Sequence, residues 1–483
     1  MFRTIQEKLN RDDDFPDRTF RVQVLQRVLN GTLYDELPHA FHEEQTDADE
    51  YIPLRDRRPC VRTNLCRTVV DDSVSLLFSE GHFPTVEIDG EDRKAALAKL
   101  LKEIRLNEIM IDAATRGSVG SAAILFKVLR NRAFLEVLDT DYLTPTWDPE
   151  APDTLLKVTE KYKAKGRDLA AQGYTIKTDD LGADFWFQRV WDSNAEAWYQ
   201  PWKVADSDKP PKIDNEKTVK HELGFVPVVW IRNLPGGDTI DGLPTFCDEA
   251  VDTQIEIDYQ LSQAGRGLKY TSDPTLLIKE PAFGDQGPTV KGAVNAIKVS
   301  EQGDAKLLEI NGTGAAAVLD YVKHLREIAL ETMHGNRVTP EKMAAAQSGR
   351  AMELMQTGLI WLADRLRISY GEGAILEIVS MIAKASKKVK LTFKNGEKVG
   401  DFDPAKEASL RWPAWFAPTQ TDLQTMANTL RTLCDAGLMS RETAIKVLAD
   451  SFDIEKPDAE KALADADMAQ RNAGAQKKVA INE

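Results

Sequence analysis

Residues 245–268 read TFCDEAVDTQIEIDYQLSQAGRGL, and the fold turns on that stretch. It reads as one long helix begun after the breakers Gly242 and Pro244. Spacing of i, i+4 puts Asp248, Asp252 and Glu256 on one face of it. Downstream, residues 272–312 hold three short strand-like pieces, 274–278, 294–300 and 305–310. A Gly/Pro-rich connection, 283–292, joins the first two. Residues 313–333 form a second helix, with Val318, Tyr321, Val322, Leu325, Ala329 and Leu330 as its apolar positions. After a break carrying Gly335 and Pro340, a very long helix runs from about 348 to 387. Gly371 and Gly373 predict a kink in it, since each glycine weakens a helix by about 1 kcal/mol.

Upstream the pattern is different. Residues 117–230 read as short β-branched or aromatic strands at 122–129, 134–138, 157–164, 185–191, 198–204 and 226–231. Six of the nine tryptophans fall there, which suits a twisted sheet with aromatic packing. Ahead of it, 20–29, 64–78 and 91–114 read as helices, with a short strand starting at 83–88. Beyond the long helix, Asn395-Gly396 marks a hairpin within 389–412. Helices at 419–436, 440–451 and 458–473 then close the chain, Ser440 being a candidate N-cap, and the last residues form a frayed tail.

The chain has 483 residues, 62 Lys+Arg against 77 Asp+Glu and a formal net charge of −15. That length gives about three structural units, and 42% hydrophobic with 29% charged residues describes a soluble folded protein. No apolar run approaches the ~18–20 residues of a membrane span, and the start, MFRTIQEKLNRDDDF, lacks the apolar segment of a secretory signal. Membrane and secreted readings are excluded on those grounds. Cys60, Cys66, Cys247 and Cys434 form no C-x-x-C pair and read as free thiols of a reducing compartment. The acidic balance argues against a protein that grips nucleic acid tightly, which takes cations opposite phosphates. It leaves room for one that DNA must pass without sticking.

Enzyme signatures are missing. There is no G-x-x-x-x-G-K-[ST] and no G-x-S-x-G, and the His-Glu pairs at 42–43 and 221–222 lack the second histidine of a zinc-peptidase helix. Residues 117–121, GSVGS, precede a strand rather than open a helix, so they read as a tight turn and not as a phosphate cradle. The Asp248/Asp252/Glu256 stripe allows a divalent-metal site, and hence a metal-dependent nuclease, or else a solvated or subunit-facing acidic face. Arg55, Arg57, Arg58, Arg62 and Arg67, and the group Arg116, Arg130 and Arg132, lack interleaved aromatics and read as surface or interface ion pairs. No metal and no cofactor is implied.

Four stretches carry more information in their order. They are 64–71 (NLCRTVVD) running on to 78–81 (FSEG), 221–229 (HELGFVPVV), 348–354 (SGRAMEL) and 437–443 (GLMSRET). With the order of elements, they resemble the portal (head–tail connector) proteins of tailed double-stranded DNA phages, of the long-tailed type. The resemblance implies an α+β, multi-region fold that assembles as a twelve-fold ring. Its parts would be an α/β wing at 1–243, stem helix 1 at 244–268, a β-containing clip at 269–312 and stem helix 2 at 313–333. A tunnel loop at 334–347, the rest of the wing with the long kinked helix at 348–415, a helical crown at 416–470 and a flexible tail at 471–483 would follow.

On that resemblance Asn336, Arg337, Thr339, Lys342 and Gln347 would face DNA in the tunnel loop. Phe283, Asp285, Gln286 and Lys291 would form a docking surface at the clip tip, and Asp248, Asp252 and Glu256 an acidic face on the stem. The implied role is a non-enzymatic channel at one capsid vertex of the virion, through which double-stranded DNA is packaged and ejected, after assembly in the host cytoplasm. The implied partners are further copies of the chain, the terminase large subunit, the head–tail adaptor, and the major capsid and scaffold proteins. A different structural or assembly protein of a viral particle is the alternative from another class.

Overall fold

The computed structural model describes residues 1–206, 211–272, 275–281, 299–308, 313–335, 354, 356–403, 407–415, 420–449 and 459–466. The chain divides into two compact units, Met1–Asn336 with Trp361–Pro413, and Arg337–Ile360 with Ala414–Glu483.

The first unit opens with helices α1 (Phe2–Gln6) and α2 (Asp17–Asn30), the short parallel pair β1 (His39–Ala40) and β2 (Arg57–Arg58), and α3 (Leu65–Phe78). Asn64 starts α3: it takes a left-handed backbone, φ 40°, and its side chain accepts the Arg67 N–H at 3.2 Å. Val69, Val70, Val74, Leu77 and Phe78 then fall on the buried side, as the three- and four-residue spacing predicts.

Strand β3 (Thr85–Glu87) leads to α4 (Glu91–Glu103) and α5 (Leu106–Gly117). The sequence reads 91–114 as one helix. It is broken at Arg105, which sits at φ 55°. The break re-phases the apolar face, so that Leu97 and Leu100 in α4 and Leu106, Met110 and Ala113 in α5 are all buried, while Ile111 is left 39% exposed.

Two antiparallel sheets follow. One is β12-β4-β5, built from β4 (Ser121–Leu129), β5 (Arg132–Leu138) and β12 (Val228–Arg232). The other runs β11-β9-β8-β7-β6, from β6 (Leu143–Trp147), β7 (Leu155–Lys165), β8 (Asp184–Trp191), β9 (Ala195–Trp198) and β11 (Val219–Lys220). Strand β10 (Trp202–Lys203) also pairs with β8. The single strand read at 198–204 is therefore two, interrupted at Gln200-Pro201, because proline has no N–H for a ladder. A small helix, α6 (Gly166–Ala171), buries Leu169 against Phe185 and Phe187. Between the sheets lies one core of Ala123, Leu125, Leu138, Leu143, Val158, Trp191, Val226, Val228 and Trp230.

Helix α7 (Asp248–Ser272) packs against α8 (Thr313–Thr332), and between them in sequence stands an antiparallel ribbon, β13 (Thr275–Pro281) with β14 (Val299–Leu308). Two of the three strand pieces expected there, 294–300 and 305–310, belong in their described parts to the single strand β14. The ladder shifts register between Lys279 and Pro281 rather than turning.

The long helix appears as α9 (Thr357–Leu366), a π-helical stretch Arg367–Ile375 and α10 (Leu376–Lys388). The kink expected at Gly371 and Gly373 takes the form of this π segment. A Cβ on Gly371 would lie 2.5 Å from Trp412 Cζ2, so glycine lets the Trp412 ring pack directly on the helix. The Asn395-Gly396 turn forms with Gly396 at φ 83°. The following β15 (Ser409–Arg411), however, pairs with β3 instead of folding back on its own hairpin.

The second unit is helical in its described residues: α11 (Gln420–Asp435), α12 (Arg441–Ala449) and helical residues 459–466. Ser440 caps α12, its Oγ accepting the Thr443 N–H at 3.1 Å.

Candidate functional site

Helix α7 carries the acidic positions Asp248, Asp252 and Glu256. Its start hangs from a junction around Asn233, which is completely buried. The Asn233 N–H donates to Gly120 O at 2.9 Å, and its Nδ2 donates to Leu243 O and Thr245 Oγ1, both at 3.0 Å. Its Oδ1 accepts the Tyr370 hydroxyl at 3.1 Å. Gly242 N–H also donates to Gly120 O, at 2.9 Å, and Thr245 N–H to Ser118 O at 2.8 Å. The GSVGS segment is thus a structural turn: Gly120 sits at φ 144°, and Gly117 leaves no room for a Cβ beside the Tyr370 hydroxyl. One buried amide joins the end of β12, this turn, the start of α7 and the π segment.

A second clamp ties α2 to the sheets. Arg18 makes a bidentate pair with the buried Asp241, Nε to Oδ2 at 2.7 Å and Nη2 to Oδ1 at 2.8 Å. Its remaining Nη1 donates to Thr140 O and Leu143 O, so the guanidinium is well satisfied despite its burial.

The acidic stripe singled out on α7 is present but divided in its use. Asp248 is exposed; partial desolvation, with Glu249 and Asp252 beside it, raises its pKa. Asp252 accepts the Phe2 N–H at 2.7 Å and pairs with the Met1 amino group at 2.9 Å. Burial works against its charge, but those two donors prevail and its pKa is lowered. Glu256 accepts from Gln260 Nε2 at 2.7 Å within the helix.

A different stripe, two residues out of phase, bears on the fold, and the sequence reading missed it. Gln254, Asp258 and Ser262 recur at i, i+4 and are all buried. Gln254 Oε1 accepts Cys66 N–H at 3.0 Å, and Ser262 Oγ accepts Val61 N–H at 3.0 Å. Asp258 takes Thr63 N–H and Thr63 Oγ1 at 2.8 Å and the Tyr34 hydroxyl at 2.9 Å. Three polar side chains therefore staple α7 along the 61–66 segment that launches α3. Burial raises the Asp258 pKa against the pull of these bonds, and it pushes the nearby Cys66 thiol up to about 12, with Cys247 and Asp258 adding to the shift. The available signal was polar residues at helical spacing among Val251, Ile255, Ile257 and Tyr259, all of which are buried.

Four of the eight arginines pair as expected: Arg62 with Asp35 at 2.8 Å, Arg67 with Asp71 at 2.7 Å, Arg116 with Asp112 and Asp139, and Arg132 with Glu103 at 3.1 Å. Arg57 is buried, with its Nε donated to Ile52 O at 2.9 Å and its Nη1 3.8 Å from Glu44 Oε1. The tunnel-loop positions Asn336, Arg337, Thr339, Lys342 and Gln347 lie outside the described residues. So do the clip-tip positions Phe283, Asp285, Gln286 and Lys291.

The chain is a mixed helix-and-sheet protein in which two packed helices bracket a β ribbon. A family model described as phage portal protein, SPP1 Gp6-like, matches residues 12–472. The chain belongs to that family. No curated protein matches it. Among the described residues, no helix is long and apolar enough to cross a membrane.

Proposed function

We propose that the chain assembles as a closed ring, twelve-fold in symmetry, whose axis is the DNA channel at one capsid vertex of a phage virion. The single observation carrying this reading is the portal-family match over residues 12–472. Packing of α7 on α8, with the β13–β14 ribbon between them in sequence, supports a stem made of the two helices and a clip made of the ribbon. Residues 1–243 and 348–415 are then the wing, 334–347 the tunnel loop and 416–470 the crown. A heterologous interface that closes by rotation gives such a ring. At −15 per copy, its walls repel phosphates, so DNA slides instead of being held.

Double-stranded DNA is packaged and later ejected through the axis. The clip tip (Phe283, Asp285, Gln286, Lys291) docks the terminase large subunit and then the head–tail adaptor. The outer regions meet the major capsid and scaffold proteins. Asp248, with Glu256, offers acidic surface toward the neighbouring copy or the lumen, while Asp252 is held by the chain's own N-terminal segment. No catalytic step is assigned.

Negative-stain microscopy of the purified protein is the test: annular particles with an open centre are expected, and a stable monomer or compact dimer at assembly-level concentrations would defeat the proposal. In the tunnel loop, Arg337 and Lys342 provide brief phosphate contacts against an acidic wall. Arg337→Ala with Lys342→Ala should lower the DNA packaged and retained per particle, and unchanged packaging and retention would remove that role.

A further inference from the structure

Between residues 384 and 398 the sequence sets six lysines against the single acid Glu397, in a chain of net charge −15. The fold gathers more cations beside them. Thr392 N–H donates to Asn131 O at 2.8 Å, which brings the β4–β5 turn with Arg130 and Arg132 alongside. Lys394 N–H donates to the Glu103 carboxylate at 2.8 and 3.0 Å, and Lys99 pairs with Glu397 at 2.7 Å, which adds the end of α4 with Lys102.

Three carboxylates of this edge are already engaged, Glu103 by Arg132, Glu397 by Lys99 and Asp403 by Lys387 at 3.2 Å, while the exposed Asp401 pairs with no cation among the described residues. Lys102, Arg130, Lys390, Lys394 and Lys398 are exposed, and their side-chain cations pair with no carboxylate among the described residues. Leu391, Phe393 and Val399 are buried beneath them, so the lysines stand on a packed base.

We propose that this basic edge binds the phosphate backbone of duplex DNA, on a surface distinct from α7, α8 and residues 334–347. The proposal rests on the reading that DNA is the protein's cargo, and adds a second place where it is touched. The chemistry favours a nucleic-acid backbone over a protein. Lysines are flexible point charges that suit phosphates at no fixed angle. A protein partner would look for an apolar anchor. Here Phe393 is only 4% exposed, and the Arg132 guanidinium lies 5.1 Å over the Phe134 ring, which is 38% exposed, with Leu129 exposed beside Arg130. Contact of these cations with phosphates is independent of base sequence.

The probe is covalently closed circular duplex DNA, which has no end to thread into a closed ring, titrated with the full-length protein between 50 and 200 mM salt. Five phosphate contacts imply a salt slope of about −4.5, or roughly 500-fold weaker binding across that range. Lys390→Glu/Lys394→Glu/Lys398→Glu should weaken binding at least about tenfold and reduce the slope by about 3, while the triple Lys→Arg variant should bind as the wild type does. If the glutamate variant loses its circular-dichroism spectrum, the triple Lys→Gln variant carries the comparison.

Equal binding of the circle by wild type and charge-removed variants overturns the proposal. So does a failure of the wild type to bind at 50 mM salt, or competition by polyglutamate at concentrations where duplex DNA does not compete. Microscopy separates this from the channel reading: rings that ignore the circle sink only the basic edge, whereas circle binding without rings supports the edge and counts against the channel.

Discussion

Asn233 concentrates more of the architecture than any other single side chain here. Its amide faces two acceptors and one donor in full burial; Leu243 O keeps the Leu234 N–H at 3.3 Å, but removing the amide leaves the Thr245 and Tyr370 hydroxyls without it, each costing about 1–3 kcal/mol. Asn233→Leu should cost about 3 kcal/mol or more in urea denaturation, and Tyr370→Phe about 1 kcal/mol; equal stability in both variants would show that the junction does not hold α7. Asp258 makes a different prediction. Its folded pKa is raised, so the native state holds the proton more readily than the unfolded chain. Its contribution is therefore present at acid pH and lost as pH rises from the ordinary carboxylate range through the raised value. Asp258→Asn should flatten that part of the stability–pH curve, and a curve of unchanged shape would contradict the assignment. Neither residue was legible beforehand. Asn233 is a lone polar residue after a strand, and Asp258 looks in sequence like one more acid on a helix already rich in them; only the segment packed against each gives it a role.

Elements were more legible than the residues joining them. Helices α2, α3, α7 and α8 show themselves through apolar spacing, because each buries one face. Strand β6 was missed because Pro145 argues against a strand, yet β6 lies at the end of its sheet, where a missing N–H costs no ladder bond. The break at Arg105 left no mark in composition, since it exists to re-phase two apolar faces in three dimensions. The π segment lies between these cases: its glycines pointed to a kink, but not to the Trp412 ring that fills the gap. That ring gives the two glycines opposite expectations. In an ordinary helix interior Gly→Ala stabilises by up to about 1 kcal/mol. Gly373→Ala should do so, its nearest neighbour beyond the adjoining residues being Ile368 O at 3.6 Å. Gly371→Ala should destabilise, because its Cβ would meet Trp412 Cζ2 at 2.5 Å. Thermal melts of the two variants decide it, and a stabilised Gly371→Ala would mean that Trp412 does not pack there.

Beyond single elements, α8 carries apolar surface that the described residues of the chain do not cover. Val322, Ala329, Leu330 and Met333 are buried, whereas Leu319, Tyr321 and Ile328 are 46%, 48% and 41% exposed. Tyr321, Leu325 and Ile328 share a face by their i, i+4, i+7 spacing, about 100° round the helix from the buried stripe. A second copy of the chain is the occupant that the ring proposal supplies. Burying such a side chain contributes about 1.5–3 kcal/mol, and closure repeats that contribution at every interface. Mutual repulsion at −15 per copy opposes assembly and is weakened by salt. Tyr321→Ser with Ile328→Ser should therefore leave the chain's own unfolding within about 0.5 kcal/mol of wild type, as surface changes do. The same variant should shift the protein from rings to smaller species at low salt, with partial recovery at high salt. Val322→Ser, on the buried side, should instead lower the stability of the chain itself. Sedimentation velocity over a range of concentrations reads the assembly and urea denaturation the stability of the chain, and a double-serine variant that forms rings as readily as wild type at low salt would place the subunit interface elsewhere on the molecule.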